Sequence, residues 1–437
     1  MSRRSFLKQG ALAGALVVAG PGMARTYAQN NKLKIAYIAT NGRGGGHLGV
    51  GKNENVTALC EVELSRVKNA AEMFPQAKVY QDYRKMFDEM HKDIDAVFVA
   101  TPDHHHAPAA SRALALGKAC YCEKPLTYSI HEARVLAEMT KKMKVATQMG
   151  NQGHANQGNR RIVEWITDGA IGEVKEVHTW TNRPVWPQGY GEMPEKVDVP
   201  QDLDWDIWCG PRPRIDRVKD MHPFAWRGWL NYGTGTIGDM GCHTWDSVWW
   251  SMAPGHALSC ELIKAEGRNN LTHPKQMILK WEFGPTAKRP AFTAFWYDGG
   301  LKPDAPEELG DGKLAGSGNL YVGTKGKLLV AGDYGDSPRL IPESFMQAYK
   351  QPERMEASPG HHQEFVMAAK GEKPWDYPKS NFTYGGPLVE AMLLGIVALN
   401  VGGKVTWDPK KCEVTGNAEA NKYVTPEFRK GWELAKA

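Results

Sequence analysis

Five short apolar runs, at residues 34–39, 56–60, 96–100, 119–122 and 145–149, constrain this chain more than any other feature of it. Each closes on glycines or polar residues, as a buried strand does when it reaches a turn. Between them, residues 65–73, 107–116 and 130–143 carry apolar side chains at three- and four-residue spacing, which predicts helices. Strands alternating with helices build a parallel sheet covered on both faces, and ligands of such sheets sit beyond the carboxyl ends of the strands. After residue 152 the alternation stops and aromatic, proline and glycine content rises. With 437 residues to place, two domains follow: 29–152 for the α/β sheet and 153–437 for a second domain, with 1–28 set apart in front.

The front segment reads as an address. Ser2-Arg3-Arg4-Ser5-Phe6-Leu7-Lys8 precedes an uncharged stretch at 11–20 and the small-x-small site Thr26-Tyr27-Ala28, the order of a cleavable signal peptide. Its apolar run is shorter than the roughly 20 residues a bilayer needs, and the paired arginines resemble a twin-arginine export signal. A periplasmic or otherwise extracytoplasmic location is expected. No later stretch reads as a membrane span. The seven cysteines show neither even pairing nor metal spacing, and Cys60, Cys120 and Cys122 fall in expected strands, as core thiols do. A net charge of +5, with scattered basic residues, argues against a nucleic-acid partner. The 15 tryptophans are many, and several between 180 and 250 are candidates either for core packing or for stacking on sugar rings.

The first strand feeds Asn41-Gly42-Arg43-Gly44-Gly45-Gly46. Bare amides at such a turn, backed by a helix dipole, hold a pyrophosphate where no side chain blocks the approach. The three fingerprint positions hold Ala39, Asn41 and Gly44, so a strict G-x-G-x-x-G is absent. Glu61 ends the next strand twenty residues after Asn41, where a carboxylate accepts hydrogen bonds from ribose hydroxyls. It would repel a 2′-phosphate, which favours NAD over NADP; Arg43 and Arg66 are the nearby cations that keep NADP open.

Further motifs arrive at later strand ends: Thr101-Pro102-Asp103-His104-His105-His106, then Glu123-Lys124-Pro125, and beyond them Ala170-Ile171-Gly172, Gly323-Thr324-Lys325-Gly326 and Trp407-Asp408-Pro409. Together they resemble the Gfo/Idh/MocA family of glucose-fructose oxidoreductase and inositol dehydrogenase. The resemblance implies a Rossmann domain followed by an α+β domain whose open, largely antiparallel sheet covers the nicotinamide. It also implies that Lys124 lies near the nicotinamide and the reacting carbinol, that Thr101, Pro102 and His106 line the cofactor, and that the chain pairs into a homodimer or tetramer.

Physical chemistry adds roles to these positions. A lysine there can hydrogen-bond the substrate oxygen and offset its charge, and Pro125 holds Lys124 in extended backbone. Asp239 and His243, four apart, share one helix face if residues from 237 onward are helical; His243 is the expected proton acceptor because an imidazole titrates near neutrality, and Asp239 the orienting group. No third ligand at metal spacing accompanies them. The His104–His106 triplet is expected on extended backbone, its rings diverging, which argues against zinc. Asn151 closes the last strand near the expected carboxamide. Arg183, Trp186, Trp226 and Arg227 suit a polyhydroxylated ring. The expected activity is NAD(P)-dependent hydride transfer on a sugar or cyclitol with tightly held cofactor. The alternatives are a redox-neutral, NAD-dependent glycoside hydrolase or lyase, and a sugar-binding protein without turnover.

Overall fold

The alternation of strand and helix survives intact in three dimensions. A computed structural model describes residues 32–352 and 354–436, so the leader at 1–28 lies outside the described residues. Strands β1 (Lys34–Ile38), β2 (Asn55–Cys60), β3 (Lys78–Tyr80), β4 (Ala96–Val99), β5 (Ala119–Cys122) and β6 (Thr147–Met149) form a parallel sheet in the order β3-β2-β1-β4-β5-β6. This is the doubly wound order, whose switch point lies between β1 and β4. Central strands β4 and β5 are buried along their whole length, which is why they read as continuous apolar runs.

The helices form where the sequence provides for them. Ile130–Met143 begins at a capping box in which the Ser129 hydroxyl accepts from the Glu132 amide and Glu132 accepts from the Ser129 amide. Such a cap is worth about 1 kcal/mol. The helix buries Ile130, Ala133, Leu136 and Ala137 on one face and ends at Lys144 in left-handed geometry. One expectation is corrected: His104, His105 and His106 are not extended but lie in the first turn of the Asp103–Ala115 helix, all three buried. Pro102 ends the extended segment and Asp103 opens the helix, so the rings diverge by helical rotation.

The second sheet comprises β7 (Val174–Trp180), β8 (Ala257–Glu266), β9 (Gln276–Phe283), β10 (Phe292–Tyr297), β11 (Gly318–Gly323), β12 (Lys327–Ala331), β13 (Ser337–Ile341), β14 (Lys404–Asp408) and β15 (Glu413–Thr415). Its order is β13-β12-β11-β7-β10-β9-β8-β14-β15, antiparallel except where β10 meets β7. Strict alternation in β9 buries Met277, Leu279, Trp281 and Phe283 in the main core, Leu279 and Trp281 against the Phe382–Val401 helix, and leaves the other face half-buried. That helix corrects the expectation that no later stretch could span a membrane. Its 20 residues have the required length and apolarity, but 78% of its most apolar window is buried in protein, as befits a core helix. It packs along the Ile130–Met143 helix, where Arg134 grips Glu390 at 2.7 Å, and so ties the two sheets together. The seven cysteines are all free, and six, including Cys60, Cys120 and Cys122, are buried.

Candidate active site

The ends of β1, β2, β4 and β5 open onto one cleft of about 440 Å³. At β1 the chain turns with Ala39 at φ 67° and Gly42 at φ 56°, left-handed values that cost a non-glycine residue about 1–2 kcal/mol. Ala39 thus accepts at the first fingerprint position a conformation usually left to glycine. Gly44 is required for another reason: a Cβ there would lie 2.2 Å from the Ala39 carbonyl oxygen. Glu61 sits at the end of β2 and accepts from the Thr40 amide at 3.0 Å, closing the turn from behind. Burial raises its carboxyl, opposed by that amide and by the charge of Arg66. The Asn41 side chain accepts from the Gly42 amide at 2.6 Å and from Arg66 at 3.2 Å. Bare turn, acidic strand end and adjoining cleft fit a dinucleotide. Arg66 is the arginine beside Glu61; Arg43 reaches away, donating to Glu123 at 2.8 Å and Gln152 at 2.9 Å.

At the far end of the cleft, the Lys124 ammonium donates to Asp239 twice, to the carboxylate at 2.8 Å and to the main-chain oxygen at 2.9 Å. Arg227 approaches the same carboxylate oxygen at 3.4 Å. Asp239 stands in the Gly235–Thr244 helix, and that helix carries His243 one turn on, as the spacing predicts. Burial pushes the Asp239 carboxyl up, but Lys124 and Arg227 outweigh it and hold it at about 2. For His243, burial and the charge of Lys124 act together and bring the imidazole down to about 3. It is therefore neutral at physiological pH and a weak base, which corrects the assignment of a near-neutral titration. Its ring meets Tyr334 edge-on at 4.9 Å.

Glu123 is buried against Arg43 at 2.8 Å and His47 at 2.9 Å, with His362 joined to His47 at 2.8 Å. Burial would raise its carboxyl, but His47 and Arg43 outweigh that and hold it well below the usual range. The Lys124–Pro125 bond is cis. His106 is not a cleft residue: it bonds the carbonyls of Pro125 at 2.6 Å and Thr101 at 2.8 Å. Its ring thereby joins the strand ends that carry Thr101 and Lys124.

Of the other expected residues, Asn41, Gly42, Arg43, Glu61, Thr101, Pro102, Glu123, Lys124, Trp226, Arg227 and Asp239 line the cleft together. Gly44 packs beneath the turn. Asn151 is fully buried and bonded to Ser380. Trp186 is buried, its indole donating to Gln188 at 2.8 Å, and neither it nor Arg183 is among the lining residues. Most tryptophans between 180 and 250 are core residues: Trp205, Trp208, Trp226 and Trp229 build a small core of their own. Among the residues not expected in the cleft are Tyr83, Ile207, Trp208, His222 and Phe224. The aromatic cluster Trp205-Asp206-Ile207-Trp208 was a visible signal for two of them, and it does not say what the cluster faces.

A sequence model described as an oxidoreductase family with an NAD-binding Rossmann fold matches residues 29–151. A second, that family's C-terminal alpha/beta domain, matches residues 163–269. Inositol 2-dehydrogenase of Salmonella typhimurium is 30% identical over 125 residues, covering 28% of this chain and 37% of that protein. D-xylose 1-dehydrogenase [NADP(+)] of Haloarcula marismortui is 31% identical over 134 residues, 29% of this chain and 37% of its own. The chain thus spans little more than a third of these curated relatives. Solved structures extend the likeness in fold. The WlbA dehydrogenase from Chromobacterium violaceum, in complex with NADH and UDP-GlcNAcA, superposes with a TM-score of 0.62 at 15% identity, over 87% of this chain and 97% of its own. Levoglucosan dehydrogenase, in complex with NADH and levoglucosan, gives 0.56 at 15%, over 86% and 99%. With its NAD-binding domain and its C-terminal domain both matched, the chain belongs to the Gfo/Idh/MocA family of oxidoreductases.

Proposed function

We propose that the chain transfers hydride between NAD and a ring carbinol of a sugar or cyclitol, on a cofactor it keeps bound. The observation that carries this reading is the Lys124–Asp239 pair, 2.8 Å apart, in the same cleft as the glycine turn and Glu61. A bound nicotinamide supplies the hydride acceptor or donor. Lys124 is placed to hydrogen-bond the carbinol oxygen, donating a proton as a carbonyl is reduced and taking it back as the alcohol is oxidised. Asp239, ionised across the neutral range, anchors that ammonium and accepts from a neighbouring hydroxyl. His243, neutral, offers a hydrogen bond and not the principal base. Arg227 and Trp226 supply the cation and aromatic face suited to a polyol ring.

Relatives named for inositol, xylose and levoglucosan support the substrate class. The twin-arginine leader supports captivity of the cofactor, because exported protein meets little free dinucleotide. Denaturing the purified protein and identifying the released dinucleotide by mass spectrometry, followed by a polyol screen on its absorbance, tests the reading. Absence of dinucleotide, or a spectrum unmoved by every polyol, contradicts it; cleavage of a chromogenic glycoside without net absorbance change assigns the redox-neutral alternative. Export is tested by fractionation: changing Arg3 and Arg4 to Lys should leave the chain in the cytoplasm.

A further inference from the structure

Residues 202–227 follow the whole parallel sheet in the chain, yet they form a wall of the dinucleotide cleft. Ile207, Trp208, His222, Phe224 and Arg227 line it together with Glu61 and Arg66. The segment is built to hold this position. It has its own apolar core, in which Trp205, Trp208, Trp226 and Trp229 pack with Leu203 and Met221.

It is also fastened to the loop that follows β2. Leu203 makes an antiparallel bridge with Glu63, flanked by Leu64 N–H to the Asp202 carbonyl at 3.0 Å and Asp204 N–H to the Val62 carbonyl at 3.2 Å. Asp202 accepts from the Ser65 amide at 2.9 Å, and Gln81 donates to the carbonyls of Val62 and Asp202 at 2.8 and 3.1 Å. A hydrogen bond and an ion pair then pin a single short stretch at both ends of the cleft: His222 to the Glu63 carboxylate at 2.7 Å beside the end of β2, and Arg227 to Asp239 at 3.4 Å beside Lys124. Between these pins Phe224 lines the cleft while 50% exposed, its ring held between Trp186, edge-on at 6.0 Å, and the Arg227 guanidinium at 4.8 Å. A ligand in the cleft beside it would cover more of that ring, a favourable burial of apolar surface.

We propose that residues 202–227 are a strap that retains the dinucleotide, with the Glu63–His222 pair as its latch at the adenosine end. Cofactor enters or leaves only when this latch and the Glu63–Leu203 bridge part. The proposal rests on the reading that the cofactor stays bound between turnovers, and supplies the part of the chain that keeps it there.

The test is dinucleotide exchange in the full-length protein. Glu63 and Leu203 form a non-hydrogen-bonded pair, whose Cα atoms lie about 4.5 Å apart in such ladders, within disulfide reach. The double variant Glu63→Cys/Leu203→Cys therefore clamps the strap when oxidised. Protein loaded with NADH is chased with excess NAD, and loss of bound NADH fluorescence gives the exchange rate. Oxidised clamp should exchange at least about tenfold more slowly than the same protein reduced, and His222→Gln, which needs no disulfide, about tenfold faster than wild type, the scale of one lost hydrogen bond to a charged group. Equal rates for oxidised and reduced clamp, or for His222→Gln and wild type should the clamp not fold, overturn the strap and leave the cofactor reading standing. A wild-type chain that takes up no NADH overturns the cofactor reading itself.

Discussion

Removing the Lys124 side chain beyond Cβ would take away both hydrogen bonds that Asp239 accepts from it, while the glycine turn and Glu61, on other strands, stay as they are. Lys124→Ala should therefore keep its dinucleotide and lose about 10²–10⁴ in turnover, the range for a positioned acid or base. Bound cofactor measured beside kcat checks this; a variant that turns over normally refutes the role. His243 gives a second test. Its folded value of about 3 lies below the ordinary 6.5, so its contribution to stability is fully present above pH 6.5 and is lost as pH falls toward 3. Urea unfolding of His243→Gln should lose less stability than wild type between pH 6.5 and 5, by about 2 kcal/mol; parallel profiles would show the imidazole is not buried as described. The Asp239–His243 spacing was legible in the sequence. The depression of His243 was not, because it comes from burial that includes Tyr334, in the turn between β12 and β13.

At the scale of elements, the β1 turn is the part whose geometry is least forgiving. Gly44→Ala sets a Cβ against the Ala39 carbonyl, whereas Gly42→Ala meets open space and pays only for its positive φ. The first change should abolish dinucleotide uptake and lower the thermal midpoint by several degrees; the second should cost about 1 kcal/mol and spare binding. Isothermal titration with NADH and thermal unfolding separate the two, and equal behaviour would contradict the turn's assignment. The central strands β4 and β5 were readable because burial along their whole length keeps polar side chains out, and β1 and β2 because most of their residues are apolar. Strand β3 was not: it has three residues at the sheet edge, with Val79 44% exposed, and offers no pattern to read. The helical state of His104–His106 was not legible either, because Pro102 marks where extended backbone ends and carries no signal for the helix that Asp103 opens.

Across the whole molecule, the outer face of the nine-stranded sheet carries Ile263, Ile278 and Phe295 among charged neighbours, and Ile263 is 51% exposed. We propose that this face pairs with a second copy of the chain, since exposed apolar patches mark association sites. Light scattering should give at least twice the protomer mass, and Phe295→Glu should shift the protein toward monomer; a wild-type monomer excludes it. The change of pattern after residue 152 was legible in the sequence: the parallel sheet ends with β6 at Thr147–Met149, and β7 onward belongs to the other sheet. That residues 202–227 reach back to the loop after β2 was not, since contacts between residues such as Glu63 and His222 leave no local pattern.

The claim that joins these scales is that hydride passes between a polyol carbon and a dinucleotide that does not leave. A sugar or cyclitol that is turned over, carrying deuterium on its carbinol carbons, should be incubated with the purified protein, which is then denatured and its dinucleotide weighed by mass spectrometry. One deuterium in the protein-bound dinucleotide, absent with Lys124→Ala, is the predicted result. A dinucleotide of unchanged mass after the polyol has been consumed would contradict it.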